Sequence, residues 1–429
     1  MNGTARLLEF AMAEHTLPVD VRVATERLVG DTLAVGAAGG SGAGFAGVLA
    51  TARSWGEGGR CRLLADAATR LPANGAAYVN CFAIHCLEWD AVHEGAVVHA
   101  MSAVVPAVLA ARDRQGDVDL ERVLTAIAVG VDVAAGLGVA AAGPLRFFRP
   151  AITGVYGAAL AVARIEGLDA ARFADVLGLA HAHAAGTMQA HTEGSIALPL
   201  QFANAARGAI HAVDLVKNGL SGPHDVLEGP FGHFTLFEDG DLATYTDTLG
   251  ERWRISEISI KPFPSGRASH AMLGGLAQCK DDIAAIEAHV PSLIRHLVAR
   301  PMRSDMTPAY ARLCLPFLIA LMMTEGMIDP RRFTPETFAD PTLAAVAARI
   351  SVHDDGNPDP NAMAPQRLVV VAGDGSRHEI MIPATLGSPE NPLDEDQAAA
   401  KYNLARAVAL PAHDPRIFDA PLDYVADVA

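Results

Sequence analysis

Cysteine is scarce and dispersed. Cys61, Cys81, Cys86, Cys279 and Cys314 are five in number and form no CxxC pair. An odd, scattered set argues against a disulfide framework and fits a reducing, cytoplasmic setting. Basic residues are also few: 33 Lys plus Arg face 49 Asp plus Glu, a net charge of −16. That deficit speaks against a nucleic-acid footprint and against adhesion to an anionic membrane surface. Charged residues make up only 19%, hydrophobic ones 51%, and mean hydropathy is +0.22, which excludes disorder for most of the chain. The N-terminal MNGTARLLEFAMAEH has no long apolar run, so no secretory signal is expected. One stretch, 123–143, is long and apolar enough for a membrane span. It is built of Ala, Gly and Val, without a Trp/Tyr belt or flanking lysine clusters, and reads instead as a buried core helix. Asp132 inside it then needs a polar partner in the core.

What is present is alanine, and with it helix. At 429 residues the chain is too long for one ordinary domain. Helical periodicity runs through 21–38, 76–89, 103–114, 154–165 and 203–217, and the abundant alanines favour helix and close helix packing. Residues 1–249 are therefore expected to be all-α. Near Trp253 the pattern changes. ISEISIKPF alternates like a strand, helices are expected over 267–288 and 311–325, and ARISVHDD and RLVVVAGDGSRHEIMIP read as strands. Asp374-Gly375 between two apolar runs marks a hairpin. Residues 250–390 are thus a smaller α+β unit, and 391–429 return to helix at 395–408 and pack back on the first domain. The predicted class is mainly α, a large all-α domain plus a smaller α+β domain.

Five constellations could carry chemistry. SGAGFAG has GxGxxG spacing, but an amphipathic helix precedes it where a dinucleotide fingerprint needs a strand, so it reads as a helix end and a turn. In KPFPSGRASH, Ser265 can cap a helix starting near Gly266, and Arg267 and His270 share a face of its first turns. Cations there oppose the helix dipole, which points either to a bound anion held with Lys261 or, equally, to an Arg267 ion pair and a packed His270. In HCLEWDAVHEGAVVHAMSAVVP, Asp90, His93 and Glu94 fall at i, i+3 and i+4 of an expected helix end, His99 follows in a loop, and Ser102 can cap the next helix. An acid and a histidine at such a junction suit general acid–base work, a metal site or merely a solvated helix end. In LRFFRPAITG, Arg149 can clamp a carboxylate, either a ligand's or a neighbour's. His181, His183 and His191 suggest a metal, but residues two apart on a helix point to opposite faces. No HExxH is present, and the single HxxE, His85 to Glu88, is too small a ligand set. No metal centre is expected.

These segments, in this order, resemble the MmgE/PrpD family. AAYVNCFAIHCLEWD is similar to AAxxNGxxxHxLDxDD, RPAITGVYGAA to HPxxTxGxFGAA, GLSGPHDVLEGPFGHF to GxTGPxxxLEGxxGxF, and KPFPSGRASHA to KPYPxxRxxHA. The resemblance implies an all-α domain and an α+β lid with the site between them, a homodimer, and no cofactor. It also implies a small di- or tricarboxylate substrate, handled by proton transfer at a carbon next to a carboxylate. Dehydration is the first expectation; epimerisation, decarboxylation or an inactive carboxylate binder are the alternatives. Carried onto this chain, it makes His99, Asp90, Lys261 and His270 the catalytic candidates. Lys261, Arg267 and Arg149 become the carboxylate-holding candidates. The chain departs from the pattern at Ala91, at Arg149, at Leu198 and Gln201 (where the family often carries a lysine and a histidine) and at Phe317.

Overall fold

A computed structural model describes residues 2–276, 279, 283–359 and 361–427. Helices dominate, and the apolar side chains form two cores. The larger is built from the helices Val19–Ala38, Ala73–His85, Ala100–Gln115, Leu120–Ala140, Arg149–Ile165 and Ala197–Lys217. Small residues set its spacing. Where Leu120–Ala140 crosses Arg149–Ile165, a Cβ on Gly157 would come within 2.1 Å of the Gly130 carbonyl oxygen. The two backbones can therefore approach only because neither position has a side chain.

The apolar run is the Leu120–Ala140 helix, and 94% of its most apolar window is buried inside the protein. Asp132 has the partners that its burial requires. It accepts from Tyr245 Oη at 2.8 Å and from the Arg254 backbone N–H at 2.8 Å. Burial pushes its carboxyl up to about 7, with the two donors pulling in the other direction. Asp132→Ala would strand both donors in the core. It is expected to cost about 2–4 kcal/mol in urea unfolding at pH 6, and a loss under 1 kcal/mol would mean that the pair is dispensable.

The second core, from Ala268 to Ile382, lies between helix Leu315–Glu325 and a four-stranded sheet. Strand Ile283–Val290 runs parallel to Ile350–Asp354 and antiparallel to Gln366–Ala372, which forms a hairpin with Arg377–Ile382. Gly375 takes the left-handed backbone (φ 86°) that this turn needs. The structure differs here from the expectation of a helix over 267–288. A 3-10 turn Arg267–Ser269 and the short helix His270–Leu276 come first, and Ile283–Val290 is an inner strand; residues 277, 278 and 280–282 lie outside the described residues. Its Ile286, Ala288 and Val290 are buried and its alternate residues less so. Period-two burial and pairing on both edges outweigh the helical preference of its alanines. The expected strand at 255–263 is only Ile258–Ser259, after a 3-10 turn, and it pairs with Val92–His93. The helix expected from 311 begins at Leu315, because Pro316 fits a first turn and not a helix interior.

Helix Glu395–Val408 opens with a capping box formed by Asp394 and Gln397. Its Ala405 and Val408, and Ile417, Phe418, Tyr424 and Val425 beyond it, belong to the first core. The SGAGFAG segment follows a helix: Gly39–Ser41 is a 3-10 extension, and Gly44 (φ 89°) starts Phe45–Ser54.

Candidate active site

Helix Ala73–His85 ends at His85, well before the position expected from its periodicity. Asp90, His93 and Glu94 therefore lie on a connecting segment and not on a helix end. Two residues there carry left-handed backbone without being glycine, Glu88 and Val97, both at φ 54°. For a β-branched valine this costs about 1–3 kcal/mol, a strain that the surroundings must hold in place. The segment folds back over the first core, and both strained residues face the cleft between the two cores.

Asp90 is the hub. Its carboxylate meets His85 Nδ1 at 3.0 Å and His99 Nδ1 at 2.9 Å, and it accepts a short hydrogen bond from Ser102 Oγ. Ser102 is thus an internal residue of helix Ala100–Gln115 that serves Asp90, and not the expected cap. Lys261 Nζ lies 3.7 Å from Asp90 and 3.2 Å from Glu88 Oε2, and also donates to the Glu88 carbonyl. Burial alone would push Asp90 up. The charges of His85, His99 and Lys261 reverse this and hold it well below the usual carboxylate range.

The two histidines on this carboxylate differ. Burial would push both down. For His85, Asp90 together with Glu88, whose Oε1 lies 3.2 Å from Nε2, outweighs burial and raises it to about 9. For His99, burial prevails with the help of Lys261, and the pKa is lowered. At neutral pH His85 is a cation and His99 a neutral base. The bond to Asp90 places the His99 proton on Nδ1 and leaves the Nε2 lone pair free. Both rings line a cavity of about 80 Å³ between the cores, with Phe202 packed 4.2 Å from the His85 ring.

Arg267 also lines this cavity, but its guanidinium is committed. It donates to Glu94 Oε1 at 2.7 Å and to the Leu386 and Thr385 carbonyls. Arg149 is farther from the role suggested for it. Its Nε donates to both Glu238 oxygens at 2.9 and 2.7 Å, and its other nitrogens donate to the Ala96 and Gly143 carbonyls. The expected clamp on a carboxylate is present, but the carboxylate is the protein's own and the pair is buried. His270 is fully buried: its Nε2 lies 3.1 Å from Ser265 Oγ, and burial with Arg267 and Lys261 keeps it neutral. Ser265 thus holds His270 and Ser269 and caps no helix.

Two residues on the site were not singled out by spacing. His85 was visible only as half of an HxxE. His191 was visible as one of three histidines, from which the structure separates it. His181 bonds Tyr156 Oη, and His183 bonds His211. His191 lines the cavity with its Nδ1 facing Arg300, a donor only, so its proton sits on Nε2, which has no partner among the described residues. Burial keeps its pKa near 3. The departures at Leu198, Gln201 and Phe317 have separate fates. Leu198 is an apolar wall of the cavity, Gln201 accepts from the Thr187 backbone N–H, and Phe317 points into the second core against Phe338.

A cation could find three ligand atoms here, since His85, Asp90 and His99 each offer one within 4.8 Å of the others. The donors already present fit poorly with that use. Asp90 is occupied by three hydrogen bonds, and a lysine ammonium lies 3.7 Å away.

The MmgE/PrpD N-terminal domain matches residues 9–245 and the MmgE/PrpD C-terminal domain matches residues 264–420. The chain belongs to the MmgE/PrpD family. Among curated relatives, cis-aconitate decarboxylase-like protein oryM of Aspergillus oryzae is 24% identical over 365 residues, covering 78% of this chain and 75% of that protein. Human cis-aconitate decarboxylase is 29% identical over 245 residues, 54% of this chain and 50% of the human protein. The Aspergillus terreus enzyme of the same name is 24% identical over 385 residues, 80% and 76%. The mostly helical architecture with a smaller sheet-bearing unit agrees with this membership.

Proposed function

We propose that this member of the MmgE/PrpD family is an enzyme acting on a small di- or tricarboxylate, and that it is a lyase removing water from a hydroxy acid. The observation that carries the reading is the split pair on Asp90. One cavity holds two histidines tethered to the same carboxylate, and their surroundings push His85 up to about 9 and His99 down. Two groups whose surroundings push their pKa values apart form an acid–base pair. His99 Nε2 takes the proton from the carbon next to a substrate carboxylate. The electron pair left behind forms the C=C bond as the neighbouring C–O bond breaks. The departing hydroxyl takes the His85 proton and leaves as water. The Nε2–H of His191 supplies a neutral donor for the charge that builds on the carboxylate.

A decarboxylase is the second reading, and the names of the curated relatives favour it. It needs the acid more than the base, since the carbon protonated after loss of CO2 requires only a donor. The homodimer implied by the family resemblance and the cytoplasmic setting suggested by the scattered cysteines belong to the same reading, and light scattering of the purified protein tests the first. The deciding experiment for the chemistry is proton NMR in D2O with a panel of hydroxy, amino and unsaturated polycarboxylates. Deuterium entering the carbon next to a carboxylate, with an alkene product, supports dehydration, and CO2 release with deuterium at the protonated carbon supports decarboxylation. If no acid exchanges although several bind, the enzymatic reading is lost.

A further inference from the structure

Beside the His85–His99 cavity lies a second and larger one of about 490 Å³, and the two share His85, Glu88 and Leu198 as walls. Its far wall includes Arg312, which stands just ahead of helix Leu315–Glu325. Arg312 is only 4% exposed. Among the described residues, its Nε has no hydrogen-bond partner and no carboxylate pairs with its guanidinium. The Phe333 ring, 4.5 Å from Cζ, covers one face of the guanidinium plane, while Cys86 and Glu88 act on it only at longer range.

A buried arginine without a counter-ion is costly, because its desolvation is not repaid. The charges around it do not repay it. Three carboxylates on the site, Glu88, Asp90 and Glu94, are matched by three cations, His85, Lys261 and Arg267. Glu88 is the one carboxylate lining the larger cavity, and it is already held by Lys261 and His85, each at 3.2 Å. Arg312 is thus a cation in excess, on the wall of a cavity that adjoins the acid–base pair. The cations suggested by sequence, Arg149 and Arg267, have their donors filled.

We propose that Arg312 is the anchor for a substrate carboxylate, and that the substrate extends from the His85–His99 cavity into the larger one. This rests on the polycarboxylate reading above and deepens it. The planar guanidinium suits a two-point grip on a carboxylate. A substrate with carboxylates at both ends can then place one on Arg312 while the carbon beside the other reaches His99. Phosphate could use the same fork, so it serves as a control.

The test is thermal melting and calorimetric titration of the purified full chain with citrate, succinate and inorganic phosphate. Citrate or succinate is expected to raise the wild-type Tm by about 2 °C or more. Arg312→Met, which removes an unmatched buried charge while keeping much of the packing, is expected to melt at or above the wild type without ligand. It should show no shift with either acid. Arg312→Lys keeps the charge but loses the fork, and its Kd for the shifting acid is expected to weaken about tenfold. The assignment is overturned if neither acid shifts the wild type, or if phosphate shifts it as much as they do. It is also overturned if Arg312→Met keeps the shift or melts more than about 5 °C lower, or if Arg312→Lys binds as tightly as the wild type. These readouts do not depend on turnover. Binding that follows Arg312 without any D2O exchange would remove the lyase reading and keep the anchor. Exchange with binding indifferent to Arg312 would do the reverse.

Discussion

Asp90→Asn is expected to lower kcat by about three orders of magnitude, within the range that general acid–base groups contribute. One carboxylate holds the Nδ1 protons of His85 and His99 and the Ser102 hydroxyl, with Lys261 behind it. An asparagine has one acceptor oxygen where these groups need two, and its amide turns a donor toward at least one imidazole. That ring must then flip its tautomer, and a His99 protonated on Nε2 has no lone pair for the substrate. The acid loses its charge at the same time, because Asp90 is the stronger of the two carboxylates that keep His85 protonated. KM is expected to change much less than kcat, since Asp90 is buried behind the rings and does not line the cavity. Steady-state kinetics on the substrate found by NMR, with a melting curve to show that the variant folds, checks this. A kcat within tenfold of the wild type in a folded variant would mean that Asp90 does not set the histidines' protonation. Ser102→Ala, which removes one donor and leaves the charge, should cost far less.

The second large effect is in the pH dependence. A bell-shaped kcat/KM profile is expected, with the alkaline limb near pH 9, where His85 loses its proton, and the acid limb below 6.5, where His99 gains one. His85→Gln should lower the rate by about a hundredfold or more and abolish the alkaline limb near 9 while leaving the acid one. An alkaline limb that persists in this variant would assign the acid to another group. The same residue couples pH to stability. Its pKa is about 9 in the folded chain against 6.5 for a free histidine, so the folded state binds the proton more tightly. The stabilisation is complete below pH 6.5, declines above it, and is lost as pH rises through about 9. Its full size is on the order of 3 kcal/mol. Urea unfolding at pH 6 and pH 10 should therefore show a larger loss for the wild type than for His85→Gln.

Much of the architecture was legible because its causes are local. The helices at 21–38, 103–114, 203–217 and 395–408 appear within a few residues of where periodicity and alanine placed them. The Asp374-Gly375 hairpin formed where the turn chemistry put it. The long apolar run needed a partner for Asp132 and found two. The failures share a pattern. IAAIEAHV is rich in alanine and locally neutral between helix and strand, and pairing on both edges decided for strand. His85 was overlooked because an HxxE pair is too common to carry a role. Arg312 was overlooked because a single arginine before an apolar helix gives no signal at all.

The sequence by itself determined the mainly α character, the change of pattern near residue 250 and the set of motifs that mark the family. These follow from periodicity, turn chemistry and residue order, which act over a few positions. Only the tertiary structure decided which charges are spent and which are free. Arg149 finds Glu238 across 89 positions, and Lys261 and Arg267 find Glu88 and Glu94 across 173 each. Arg312 finds none among the described residues. A charged side chain carries no local record of its counter-ion, because the pairing is set by where folding brings distant segments together and by how much water is left between them.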